Sequence, residues 1–471
     1  MRFAFKNLLP HFLQRAQLPL LILVLASAAL FIVRGPLRLL ARSDYNDFVE
    51  PYVSARAWLA GGNPYDSTTV AEVWQSASGR PSSSRLAPMY PPTALPLLAT
   101  IAWLNWPQAL HVWVAINCAA AILLCVAVWQ MGAGTLSKEA RLIPLAVVLG
   151  FAPLHTGFAT GQISFSVAAL VVAAVWVRVH HPVLAGTILG SAAALKPQLV
   201  IFLLLFFVLA REHRIWISAT FTGAIFAGVG LLRIQRLHPA WAQALESNAQ
   251  YWFQPGSVHD YALGPNRFHL INLQMPSYAV LHSRTAANLF AWLMFSIPLA
   301  IWGILVHRNT HQRLLALAGI SAISLLPAYH RTYDAGLLVL AIVWALPQFL
   351  ITRCRVAAAS LICLLAFMFP TGAFLGGATM QGRIPGNVAT SWWWQSVILP
   401  HQGWALLALV WLLIAALGTN STNVADCASK SPPASPTRFS APSDTRFTAS
   451  GADSWSARTC QGQCTSSKVM R

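Results

Sequence analysis

Apolar runs close to the length of a bilayer crossing recur along the whole chain, and that single pattern leaves few folds available. A helix needs about 20 mostly apolar residues to cross the roughly 30 Å hydrocarbon layer. Runs near that length recur from Leu18–Val33 to Trp404–Leu417. Only 9% of the residues are charged and 56% are hydrophobic, whereas soluble domains carry about 25% charged residues. A transmembrane β-barrel would show short alternating segments instead. The expected fold class is therefore an all-α polytopic membrane protein.

The formal net charge of +18 does not argue for nucleic-acid binding. The basic residues sit in short clusters between apolar runs, which is how cytoplasmic loops of membrane proteins are marked. Arg2, Lys6 and Arg15 precede the first run, so the N-terminus is read as inside and residue 34 as outside. The first run lacks a small-residue cleavage site and is followed by Arg34, Arg38 and Arg42, so it reads as a retained helix rather than a signal peptide. Further inside clusters are Lys138/Arg141, Arg178/His180/His181, Arg211/Arg214, Arg308/Arg313 and Arg353/Arg355.

The alternation gives about twelve crossings (10–13): 18–33, 108–131, 142–154, 164–177, 183–195, 198–210, 216–232, 286–306, 314–327, 335–351, 356–370 and 404–417. Residues 93–103 read as an interfacial or re-entrant helix. Two domains are expected: a membrane domain over 1–418, and a cytoplasmic tail over 419–471 whose Ser, Thr, Pro and Ala content reads as disordered. Cys118, Cys125 and Cys363 fall in apolar runs, Cys354 in a short basic loop, and Cys427, Cys460 and Cys464 in the tail, so no disulfide framework is expected.

This topology sorts the carboxylates. Ten acids precede the tail. Glu139 and Glu212 fall inside, while Asp44, Asp47, Glu50, Asp66, Glu72, Glu246, Asp260 and Asp334 fall outside. The polar motifs "SDYND", "TGQIS", Lys196-Pro197 and "YHRTYD" share that outer side, as a single site at the outer surface would require.

Each motif has a plain reading beside a chemical one. Asp44 and Asp47 suit a helix cap or solvated loop, or a general base. Pro51 favours a helix start with Glu50 as its cap, and Asp66 closes the "NPYD" turn. Lys196 is one of five lysines and interrupts an apolar stretch of nearly thirty residues. It marks a loop between short helices or binds an anion such as phosphate, because a charge at the bilayer centre costs ~2.5–3.5 kcal/mol on insertion scales. His330 and Arg331 suit a phosphate, though arginines also snorkel at interfaces. Gln162 caps a helix or binds sugar hydroxyls. "MYPPTALP", 89–96, reads as a loop-to-helix entry. Phosphate-loop, dinucleotide and metal-spaced signatures are absent from the sequence.

In order along the chain stand "DF…Y…ARAWLAGGNPYD", "YPPTALPLLA", "GQIS", "AGTILGSAAALKPQ" and "YHRTYDAGLLVLAI". Together they resemble glycosyltransferase family 87, membrane mannosyltransferases of the GT-C type, over roughly residues 15 to 418. The second long loop departs from the family: "PNRFHLINLQ" stands where the family has an Asn-Gln-Ser segment.

The resemblance implies an integral-membrane inverting hexosyltransferase, and nothing in the sequence requires a cofactor or a metal. Its donor would be a polyprenyl-phosphate sugar, with mannose expected. Its acceptor would be a glycolipid or glycan on the outer face of a bacterial plasma membrane. It implies Asp47 as the base, with Asp44 in reserve. Lys196, His330 and Arg331 would meet the donor phosphate, and Gln162, Tyr90, Tyr333 and Asp334 the sugar or acceptor. The competing classes are a transporter or lipid-linked sugar flippase, which needs ionisable groups within the membrane, and a ligase using a diphosphate donor, which would carry a larger arginine-rich outer domain.

Overall fold

The computed structural model describes residues 17–42, 46–82, 84–308, 311–327 and 329–429, with side chains to 419. Two units are distinguished, Met1–Val424 and Ala425–Arg471. Of the second, only 425–429 is described, as the end of the helix His401–Ser429. Backbone hydrogen bonding thus carries the last helix past residue 418. The tail expected to be disordered lies, from 430 onward, outside the described residues.

The described residues form helices and turns, with one isolated antiparallel bridge between Leu270 and Arg331. Each of the twelve apolar runs carries a helix, but not of equal length. Among the described residues, six helices are long and apolar enough to cross a membrane: Gln17–Ala41, Trp106–Met131, His213–Leu237, Arg284–Arg308, Thr332–Thr352 and His401–Thr419. The pair Leu142–Leu149 and Ala152–Ala159, bent by 44°, makes up to seven. The other apolar helices are shorter, 10–17 residues, and include Ile163–Val177, Pro182–Leu195 and Pro197–Leu209. At about 1.5 Å per residue such helices reach only about 15–25 Å. The chain is thus an all-helical polytopic membrane protein whose centre is built partly from short helices.

The short helices end where sequence ends them. Pro182 and Pro197 occupy the first turn of their helices, where a missing N–H costs nothing. Lys196 is left as the junction between the two, with a backbone that belongs to neither. Close packing holds this region together. Added Cβ atoms at Gly186 or Gly190 would run into the backbone of His213–Leu237 around Ile215 and Ala219. Without a hydrophobic drive between helices in lipid, such close approach of backbones through small residues supplies the association energy.

A second group of shorter helices comprises Val49–Leu59, Ser67–Ser78, Leu95–Ala102 and Trp241–Phe253. It is pinned by polar side chains to loop carbonyls. Arg56 donates to the carbonyls of Ala102 and Leu104 at 3.1 and 2.6 Å. Asn248 donates to those of Tyr65 and Pro88 at 2.8 and 3.1 Å. Asp66 caps Ser67–Ser78, accepting the Thr69 N–H at 2.8 Å. Glu50 is not a cap: the first helix of this group starts at Val49 after Phe48, and Glu50 lies in its first turn. Asn46 takes the local turn instead, its Oδ1 accepting the Phe48 N–H at 3.0 Å.

The close approach at Gly190 inverts a usual rule. In a helix interior Ala is favoured over Gly by roughly 0.5–1 kcal/mol. At Gly190 a Cβ would lie 2.7 Å from Thr222 Cβ and closer still to the Ala219 carbonyl oxygen. At Gly223 it would meet nothing within 4 Å. Gly190→Ala is therefore expected to destabilise the protein by about 1–3 kcal/mol, and Gly223→Ala to be neutral or stabilising. Thermal melts of the two variants in one detergent check the difference.

Candidate active site

The segment carrying Asp47 is held by an aromatic stack. Phe48 lies parallel to Trp113, centroids 4.5 Å apart at 4°, and near Trp106 at 6.0 Å. The backbone is tied as well. The Asp47 N–H donates to the Thr160 carbonyl at 2.7 Å, and Trp113 Nε1 donates to the Gly161 carbonyl at 3.1 Å. Gly161 has φ +72° and sits against Asn46 and Phe48. That left-handed conformation strains any residue with a Cβ. The "TGQI" turn and the "NDF" turn therefore lock into each other.

This places Gln162 beside Asp47. Gln162 occupies the N-cap position of Ile163–Val177, yet its side chain does not cap. Its Nε2 donates to Asp47 Oδ2 at 2.6 Å, and its Oε1 accepts from the Tyr90 hydroxyl at 3.3 Å. Burial raises the Asp47 pKa above the usual carboxylate value, opposed by the Gln162 hydrogen bond and by the charges of Arg331 and Lys196.

A second centre forms around Asp334, which is 2% exposed. Lys196 Nζ donates to its Oδ1 at 2.7 Å and to Ser164 Oγ at 2.6 Å. Ser164 Oγ in turn donates to the same oxygen at 2.7 Å. The other oxygen takes the Arg331 backbone N–H at 3.2 Å and faces His330 Nδ1 at 3.3 Å. Lys196 also lies 5.2 Å from the Tyr333 ring centroid, a cation–π distance.

The two centres open onto one cavity of about 780 Å³. Of the residues singled out in the sequence, Asp47, Tyr90, Gln162, Lys196, Arg331 and Tyr333 line it. His330 and Asp334 do not. His330 is 1% exposed and sits behind Asp334, and Asp334 spends its oxygens on protein donors. Asp44 lies outside the described residues. Among the described residues no group of three or more His, Cys, Asp or Glu side chains is arranged to hold a metal ion.

The cavity also gathers Glu50, read from the sequence as a helix cap, and residues that sequence reasoning passed over: Arg80, Arg85, Trp252, His259 and Tyr329. Glu50 Oε1 accepts the Ala87 N–H at 3.3 Å, and the Ala87 carbonyl accepts from Trp252 Nε1 at 2.6 Å. Both sides of one residue's backbone are thus pinned, which fixes the wall formed by residues 84–91. A signal for Glu50 was present, since it stands one helical turn from Asp47. None was present for His259, which reaches the cavity from a loop more than two hundred residues downstream.

Lys196 has three donors and Asp334 and Ser164 take two of them. Lys196→Met removes the cation from a buried carboxylate and is expected to cost about 3–5 kcal/mol. Adding Asp334→Asn should recover part of that loss in thermal melts. Glu50 gives a pH signature. Burial first, then the Asp47 charge, outweigh the Ala87 hydrogen bond and raise its pKa from 4.5 to about 7. A raised folded-state value means stability is fully present below 4.5 and is lost as pH rises through about 7. Glu50→Gln is expected to flatten the melting temperature over that window and to raise it at the alkaline end. A pH series of melts on both proteins checks this.

Comparison with known proteins gives the site its setting. The family model for glycosyltransferase family 87 matches residues 89–329, just over half of the chain. A curated relative from Mycobacterium tuberculosis is named "Polyprenol-phosphate-mannose-dependent alpha-(1-2)-phosphatidylinositol mannoside mannosyltransferase". It is 29% identical over 249 residues, which are 49% of this chain and 53% of the relative. The chain thus spans about half the length of the curated relative it matches. No solved structure matches. The matched region contains Tyr90, Gln162, Lys196 and His259, and the chain belongs to glycosyltransferase family 87.

Proposed function

We propose that this chain is an integral-membrane, inverting hexosyltransferase that moves mannose from a polyprenyl monophosphate to a glycolipid or glycan acceptor, on the outer face of a bacterial plasma membrane. The observation that carries the reading is one cavity in which a half-buried carboxylate, Asp47, shares walls with two cations, Lys196 and Arg331. Family membership supports glycosyl transfer. The name of the mycobacterial relative supports a polyprenol-phosphate-mannose donor.

The chemistry needs little more. The acceptor oxygen attacks the anomeric carbon as the bond from that carbon to the phosphate oxygen breaks. The acceptor proton passes to Asp47, and the polyprenyl phosphate leaves with its negative charge. Direct displacement inverts the anomeric centre. A lipid phosphate is a good leaving group by itself, so one carboxylate suffices where glycoside hydrolysis uses two. The Gln162 amide holds one Asp47 oxygen and so orients the other. A base whose proton affinity is raised by burial accepts a proton more readily once ionised.

Lys196 and Arg331 would meet the phosphate and stabilise the charge it gains. In this reading His330 acts through Asp334: it helps hold the carboxylate that holds Lys196. Tyr90, Gln162 and Tyr333 are left facing the sugar or acceptor, and Glu50 joins them. Asp44 remains the reserve for the base. The short central helices, together with the longer ones, are read as about twelve crossings around this cavity.

Purified protein given radiolabelled mannosyl-phosphopolyprenol and a membrane glycolipid extract should form labelled product. Asp47→Asn is expected to lower the rate by about 10²–10⁴-fold with the fold intact. Equal rates would remove Asp47 from the role of base. Absence of transfer from any polyprenyl monophosphate sugar would sink the donor assignment.

A further inference from the structure

The second long loop reaches the cavity with little regular structure over 254–267, and one buried carboxylate gives it shape. Asp260 is 3% exposed. It accepts two N–H groups of Arg284 at 2.8 Å each. It also accepts the backbone N–H groups of Gly256, Ala262 and Leu263 at 2.8, 3.0 and 3.3 Å. Burial pushes its pKa up, but the Arg284 hydrogen bonds and the Gly256 and Ala262 donors prevail and hold it at about 2. The clamp is therefore ionised at any pH a cell envelope meets.

The clamp fixes the adjacent residue, His259. Its ring sits among Trp252, Phe253 and Tyr329, with centroids at 4.9, 5.7 and 4.4 Å. Its Nδ1 lies 2.8 Å from Arg331 Nη2. A guanidinium keeps its protons, so Arg331 is the donor and Nδ1 the acceptor. The imidazole must then be neutral. Burial, with the Arg331 charge second, lowers its pKa to about 3, which agrees. Arg331 also lies 5.7 Å from the Tyr329 ring centroid, and its Nε has no hydrogen-bond partner among the described residues. A long side chain with about 2 kcal/mol of rotamer entropy is thus held from one side while donors remain for an anion.

We infer that His259 is a positioning residue, whose Nδ1 orients the Arg331 guanidinium toward the phosphate of a lipid-linked sugar bound in the cavity. This rests on the donor reading proposed above. It also gives the 254–267 loop a role, because the Asp260–Arg284 clamp sets His259 and His259 sets Arg331.

Binding of undecaprenyl phosphate to the full-length protein, with undecaprenol as the phosphate-free control, tests this. His259→Phe keeps an aromatic ring and removes the acceptor. It should weaken undecaprenyl phosphate binding about tenfold, the order expected for one hydrogen bond to a charged group, and leave undecaprenol binding unchanged. His259→Asn places a carbonyl oxygen near the Nδ1 position and should recover most of the loss. In an Arg331→Met background His259→Phe should add nothing. Should His259→Phe fail to fold, His259→Ala carries the same expectations.

Wild-type phosphate binding by the acceptor-less variant would overturn the inference. So would equal losses for phosphate and alcohol, which mark a merely structural role, or a further loss in the Arg331→Met background. Arg331→Met with unaltered phosphate binding would instead remove Arg331 from the donor site, and the inference would fall with that reading.

Discussion

The buried carboxylate of Asp334 is the interaction on which the site depends. A charge in that position is costly unless every oxygen is paired. It draws its partners from separate parts of the chain: Ser164, Lys196, His330 and the backbone of Arg331. Satisfying one acid therefore brings together the start of Ile163–Val177, the junction of two short helices and the turn before Thr332–Thr352. The same constraint holds the ammonium of Lys196 at the cavity wall with a donor left over. A lone lysine among apolar helices would otherwise withdraw to an interface.

The helices are short where this happens, and the two facts belong together. Irregular backbone is tolerated at membrane depth only where protein or a cavity satisfies its polar groups. The breaks at Gly150–Phe151, Gly161–Gln162 and Lys196 bound helices of 8–15 residues. Two of them deliver Gln162 and Lys196 to the cavity. The helices Val49–Leu59, Ser67–Ser78 and Trp241–Phe253 contribute further wall residues. Asp47 lies just before the first of them, anchored by Phe48 on Trp113 and oriented by Gln162.

The order of five motifs made Asp47, Gln162, Lys196 and Arg331 legible, because each is a polar residue placed where an apolar pattern breaks. Two roles were misread for the same reason. Glu50 stands before Pro51 at a helix start and so looks like a cap, whereas its side chain crosses to Ala87. His330 looks like a phosphate ligand beside Arg331, but it is enclosed and faces Asp334. The Glu50 orientation follows from which segment lies opposite, whereas His330 meets an acid four residues along its own segment.

Hydrophobic patterning by itself determined the membrane class, the positions of the helices and the segments that carry polar chemistry, because each of these depends on residues close in sequence. Which helices reach spanning length also depends on backbone breaks at Gly150 and Lys196, and those show only in part. Only the tertiary structure decided that Lys196 is held by Asp334, that Asp47 is held by Gln162, and that a histidine from the second long loop reaches Arg331. Those pairings join residues 72 to 138 positions apart. No local preference encodes them; they are set by the need to give each charge a polar partner once the helices have packed.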